Sequence, residues 1–287
     1  MNQAETLAAI KGGAMIPERG KGARVIAVSS GKGGVGKTNS VVNLAVAFSS
    51  LGKKVLLLDA DLGLGNLDIL LGLAPKYNIG HLLRGEKTLE EVIIKGPTGI
   101  MILPASSGIQ ELTQLSSHER LAILSHLENM ESPVDMMIID TGAGISSNVL
   151  FFNVAAQEII VVVTPEPTSL TDAYALMKVL LQKHGERKFK LLVNSAKSKK
   201  EGMEVYKKIS LAAHKFLNIS LDYIGCVLFD ESVQKAVVRQ KAVMELYPDS
   251  KASECYRTIA NNICEQSEPA CLKGGMQFFW RQILGGA

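Results

Sequence analysis

RVIAVSSGKGGVGKT, residues Arg24–Thr38, joins a β-branched, apolar run to the spacing Gly31-x-x-x-x-Gly36-Lys37-Thr38. The run reads as a buried strand, and the spacing reads as a phosphate-binding loop that opens a helix over Asn39–Leu51. Glycines let successive backbone N–H groups close around a chain of phosphates, and the following helix adds the positive end of its dipole. In such a loop Gly31, Lys32, Gly33, Gly34, Val35 and Gly36 form the cradle, with Asn39 behind it at the start of the helix. Lys37 brings a point charge to the outer phosphates, and the Thr38 hydroxyl is a ligand for Mg2+. A plain glycine turn is the bland alternative, and the flanking strand and amphipathic helix argue against it.

Two further strands end in acids. Lys54–Asp59, KVLLLD, is a buried parallel strand that runs into Asp59-Ala60-Asp61. Ligands of open α/β sheets sit at the carboxyl ends of strands, so both carboxylates are expected beside the phosphates. One can hydrogen-bond the loop and the other can place a water in line with the terminal phosphate; a simple helix cap at Asp61 is the structural alternative. Met136–Asp140, MMIID, forms another buried strand whose last residue, Asp140, matches the acid that holds magnesium through water in phosphate-loop NTPases. Thr141-Gly142-Ala143-Gly144 then supplies a flexible turn suited to sensing the terminal phosphate.

The alternation continues through strands at 158–164, 189–193 and 221–228 and helices at 168–183, 201–216, 232–239 and 250–266. Earlier, short helices are expected near 79–84 and 89–94, a strand at 100–103 and a helix over 116–130. Asn194 falls at a strand end, where its amide offers one donor and one acceptor to an adenine edge; an Asx turn is the alternative. The whole pattern predicts a doubly wound, mostly parallel α/β sheet with helices on both faces, a P-loop NTPase fold whose GKGGVGKT loop resembles that of the SIMIBI or MinD-like kind.

Composition limits the rest. The chain has 287 residues, 47% of them hydrophobic and 21% charged, enough to bury a sizeable core. A formal charge of +3 and 5% aromatic residues give no nucleic-acid signature, so no direct nucleic-acid partner is expected. Cys226, Cys255, Cys264 and Cys271 show no metal-type spacing and suit free thiols in a reducing cytosol. No secretory signal pattern and no apolar run of about 18 residues is present, so a cytoplasmic protein is expected. Three segments are expected: a polar arm over 1–22, an ATPase domain over 23–268, and a linker with a short amphipathic helix over 269–287. The last carries MQFFWRQIL, Met276–Leu284, whose Phe278, Phe279 and Trp280 suit weak contact with a bilayer interface or packing on a protein surface. Membrane contact would place the protein at the inner face of the plasma membrane or at a cell pole.

GKGGVGKT carries a second lysine, Lys32, directly after Gly31. This resembles the deviant phosphate loop of the MinD/ParA/nitrogenase-iron-protein family, whose members close as ATP-sandwich dimers. The resemblance implies ATP as nucleotide, a homodimer formed on ATP, and Lys32 reaching the phosphates of the facing subunit. It implies catalytic roles for Lys32, Lys37, Asp61 and Asp140, with Asp61 positioning water, and Thr38, Asp61 and Asp140 around magnesium. It also implies adenine contacts from Asn194 and from a loop at 228–231 containing Phe229 and Asp230, although the family's usual proline is missing there.

DADLGLGNLDILLGL (Asp59–Leu73), EPTSLTDAYALMKVL (Glu166–Leu180), FDESVQKAV (Phe229–Val237) and the Phe278-Phe279 pair narrow the resemblance to the flagellar-number regulators of the FlhG (FleN) group. That group implies a slow, dimerisation-dependent ATP hydrolase acting on the GTPase FlhF and on a flagellar transcriptional activator. The FlhF-stimulating peptide of several members is Asp-Gln-Ala-x-x-Leu-Arg; here Gln3, Ala4 and Leu7 match, whereas Asn2 and Ala8 depart. A disordered tail is the other reading of that arm. Two other classes share the core: a division-site regulator of the MinD kind, and an iron-protein-like reductase, which needs dimer-bridging cysteines earlier than Cys226.

Overall fold

The computed structural model describes residues 23–62, 65–105, 115–128, 130 and 134–266. The expected arm helix over 3–10, the linker and the amphipathic segment over 276–284 lie outside them.

The chain opens with β1 (Arg24–Ser30), α1 (Lys37–Ser50) and β2 (Val55–Ala60). It continues through α2 (Leu67–Leu70), α3 (Ile79–Leu83), α4 (Leu89–Val92), β3 (Ile94–Lys95), β4 (Met101–Leu103) and α5 (Ser117–Glu128). The second half alternates β5 (Met136–Ala143), α6 (Ser147–Ala155), β6 (Glu158–Val163), α7 (Pro167–His184), β7 (Phe189–Ala196), α8 (Lys199–Leu217) and β8 (Leu221–Leu228). It closes with α9 (Glu231–Val238), α10 (Val243–Leu246) and α11 (Lys251–Glu265).

These strands form one sheet in the order β3-β4-β2-β5-β1-β6-β7-β8, parallel except for β3. Its central strands are covered on both faces: β1, β2 and β6 are buried along their whole length and β5 as far as Thr141. Alternation decides which face each residue serves. Ile26, Val28, Leu57 and Ile138 pack with α1 and α11, while Val25, Ala27, Leu58 and Ile139 pack with α3, α5 and Phe152 of α6. A third cluster joins β6 and β7 to α7 and α8 through Val161, Leu176, Leu191 and Ile209. Among the described residues no helix is long and apolar enough to cross a membrane.

Differences from the sequence reading are local. The 89–94 helix stops at Val92, and Ile94–Lys95 turns back antiparallel to β4, its Ile94 opposite Ile102. Helix α6, which had no expected counterpart, starts at Ser146, whose hydroxyl accepts the Val149 N–H at 3.4 Å. Its apolar run SNVLFFNVA has no clean period, since it is wedged between two cores.

Candidate functional site: a phosphate loop facing two strand-end carboxylates

The loop between β1 and α1 is shaped for close approach. Gly36, the helix cap, sits at φ 81°, and a Cβ there would lie 2.2 Å from Asn194 Nδ2. At Gly31 a Cβ would collide with the backbone of Asp172 in α7, at 2.1 Å. Among the described residues, no backbone N–H from Gly31 to Asn39 donates to a protein acceptor. A run of unspent donors at a helix N-terminus is an anion cradle, and its open side is lined by Gly33 and Gly34, beside which a Cβ would meet nothing within 4 Å.

Strand register delivers the acids. β2 pairs with β5 so that Asp59 faces Asp140, and β5 pairs with β1 so that Asp140 faces Val28. Lys37 Nζ lies 2.5 Å from Asp140 Oδ1, both side chains being buried. Burial pushes the Asp140 carboxyl up from its ordinary range, against the opposing pull of the Lys37 charge and of hydrogen bonds from Lys37 and the Thr38 hydroxyl. Asp59 is pushed up to about 8, first by burial and then by the Asp140 charge, although its oxygens accept the Leu67 and Asp61 N–H groups. Two buried acids thus face one ammonium, and below about pH 8 Asp59 keeps its proton instead of adding a second negative charge.

Asp61 is half-buried, with its carboxylate beside the Gly142 turn: a Cβ at Gly142 would lie 3.5 Å from Asp61 Oδ1. The turn is tied to the loop, since Gly144 N–H donates to Ser30 O at 2.9 Å and Ser30 Oγ donates to the Lys32 carbonyl at 2.9 Å. Lys32, Lys37, Thr38, Asp61 and Asp140 are therefore brought to one end of the sheet. Lys32 itself does not hang free: its Nζ meets Glu166 Oε2 at 2.8 Å and Thr168 Oγ1 at 3.1 Å, at the start of α7.

The outer predicted residues behave differently. Asn194 lies within β7 rather than at its end, and its Nδ2 donates to the Val35 carbonyl at 2.8 Å, so it braces the loop. Asn39 gives its carbonyl to Asn43 Nδ2 at 2.8 Å. Asp230 caps α9 through the Ser232 N–H at 2.8 Å and receives the Ala252 N–H at 3.2 Å; burial pushes its carboxyl up, but these donors outweigh it and hold it below its usual range. Phe229 is exposed. Sequence reasoning gave no role to Glu166, in the loop before the expected 168–183 helix, to Thr168 at the start of that helix, or to Ser29 and Asn153. Asn153 carried a signal: an amide in an otherwise apolar helical run.

The chain is similar over most of its length to several known proteins. The AAA domain family model matches residues 23–191. The chain is 44% identical over 261 residues to the antiactivator FleN of Pseudomonas aeruginosa, covering 91% of this chain and 93% of that protein. It is 33% identical over 265 residues to the flagellum site-determining protein YlxH of Helicobacter pylori, covering 91% and 90%. Among solved structures, the MinC:MinD cell division protein complex of Aquifex aeolicus superposes with a TM-score of 0.68 at 29% identity, covering 87% of this chain and 99% of that one. A phosphate loop with a second lysine, paired strand-end acids and these full-length similarities place the chain in the MinD/ParA-type phosphate-loop ATPases, close to FleN.

Proposed function

We propose that this chain is an ATP-switched dimer that controls flagellar number or placement. The observation that carries the reading is the unspent cradle of N–H groups at Gly31–Asn39 beside Lys37 and two buried strand-end acids. The donor set fits the expected ligands: backbone N–H groups and Lys37 for phosphates, and the hard oxygens of Thr38, Asp61 and Asp140 for Mg2+. Magnesium, when bound, neutralises charge on the phosphates. Lys37 exchanges its Asp140 contact for the outer phosphates, which frees the carboxylate. Asp61 and the Gly142 turn orient the attacking water. Lys32 leaves Glu166 and Thr168 for the phosphates of a second subunit, so ATP is a ligand with affinity for only the closed dimer, as a population shift requires. Hydrolysis is slow and needs the dimer.

Similarity to FleN and YlxH supports the flagellar assignment over a division-site role, and it supports FlhF and a flagellar transcriptional activator as partners. Gln3, Ala4 and Leu7 form the FlhF-stimulating segment, and Phe278, Phe279 and Trp280 give a weak membrane contact. Two measurements test the reading. Specific ATP turnover is expected to rise with protein concentration in wild type and to be lost in Lys32→Ala, which still binds nucleotide; concentration-independent turnover contradicts the dimer. Stimulation of FlhF GTP turnover supports the flagellar role, and its absence with the intact chain favours the division-site reading, for which the MinD-like fold is the supporting observation.

A further inference from the structure

Asn153, in the last turn of α6, is fully buried. Its Nδ2 donates to the Val149 carbonyl at 2.7 Å and to Ser29 Oγ at 2.7 Å. The Val149 carbonyl fixes which way the amide faces, because the reversed amide would set two acceptors against each other. Ser29 Oγ in turn lies 2.6 Å from Thr141 Oγ1. Either hydroxyl can donate in that contact, because Ser29 Oγ has two lone pairs and can accept from Asn153 and Thr141 together; Thr141 Oγ1 also lies within hydrogen-bond reach of Gly142 O (3.0 Å) and Val28 O (3.1 Å).

The relay runs from α6 through β1 to the residue that follows Asp140. It holds the start of the turn that faces Asp61, while the Ser30–Gly144 bond holds the end. Stability alone does not account for it, because Asn153 Oδ1 is buried without a hydrogen-bond partner, a burden that an apolar side chain of similar size would not carry.

We infer that Asn153 is a positioning residue for ATP hydrolysis, acting through Ser29 and Thr141 to hold the Gly142 turn against Asp61. The inference rests on the reading above that Asp61 and this turn orient the attacking water. Nucleotide binding belongs to the loop and is left intact.

The test compares wild type with Asn153→Ala, Asn153→Leu, Thr141→Val and the double variant Asn153→Ala/Thr141→Val, using steady-state ATP turnover, affinity for a fluorescent ATP analogue and thermal melting. Asn153→Ala and Asn153→Leu are expected to lower kcat by about tenfold or more, as small misplacements of reacting groups do, with analogue affinity within about twofold. Asn153→Leu, which removes the unpaired oxygen and fills the space, is expected to melt at or above wild type while still losing turnover, which separates positioning from folding. The double variant is expected to lose no more than its worse single variant. Wild-type kcat in both Asn153 variants, losses that multiply in the double variant, or a fall in affinity equal to the fall in kcat overturns the inference alone. A wild type without ATP turnover overturns the ATPase reading and takes this inference with it.

Discussion

At the carboxyl ends of β2 and β5 two buried carboxylates, Asp59 and Asp140, share the one ammonium of Lys37, whereas at the amino ends of β1, β6 and β7 one carboxylate, Glu158, is held by two cations. Arg24 grips both Glu158 oxygens and donates to the Ile263 carbonyl at 2.6 Å, and Lys190 lies 3.1 Å from Glu158 and reaches Gln266. The outcome for the acids is opposite. Burial pushes Glu158 up, but its two cations outweigh that and bring it below its ordinary value, while Asp59 rises to about 8. One end is closed and pins α11 to β1; the other holds a buried acid that keeps its proton and a run of open N–H donors. The contrast is between one buried acid matched by two cations and a pair of buried acids matched by one.

Substitutions can break this contrast from either side. The largest effect is expected at the open end: Lys37→Ala should reduce ATP turnover by roughly a hundred- to a thousandfold, the cost of removing a charge-stabilising donor from a water-excluded site. Steady-state hydrolysis checks it. Next, Arg24→Ala should lower unfolding stability by about 3–5 kcal/mol, as breaking a buried pair does, while the folded fraction keeps its nucleotide affinity; urea unfolding and analogue binding measure the two.

A pH series sharpens the comparison. In nucleotide- and magnesium-free buffer the folded chain keeps the Asp59 proton up to about pH 8, whereas the unfolded chain loses it near 3.8. Stability should therefore fall as pH rises through that window, by up to ~1.4 kcal/mol per unit. Asp59→Asn should flatten that fall. Glu158 has the opposite sign: its contribution is present above 4.5 and is lost as pH falls through its lowered folded value. The smallest effect is expected for Glu166→Ala, which removes the exposed partner of Lys32 and should change stability by less than ~0.5 kcal/mol. ATP-driven dimerisation should persist in that variant, and its loss would show that Glu166 belongs to the assembly rather than to the free monomer.

Much of the open end was legible in the sequence because its chemistry is local. The loop spacing, its second lysine and two acid-ended apolar strands each occupy a contiguous stretch, and parallel register then has to bring them together. The closed end was not legible: Arg24, Glu158, Lys190 and Ile263 are far apart in the chain and sit in no motif. Lys32's contacts with Glu166 and Thr168 were hidden for the same reason. At Asn194 the sequence left two targets open, an adenine edge or an Asx turn, and the packing of β7 against the loop adds a contact it did not foresee, the N–H donated to the Val35 carbonyl. Helix α6 escaped because double-sided burial erased its period, which also concealed Asn153.

Light scattering on wild type and Asp61→Ala, with and without saturating Mg-ATP, tests the central claim most directly. Both are expected as monomers near 30.9 kDa without nucleotide, and Asp61→Ala as a stable species of twice that mass with Mg-ATP. An Asp61→Ala chain that binds ATP and stays at 30.9 kDa would contradict the switch.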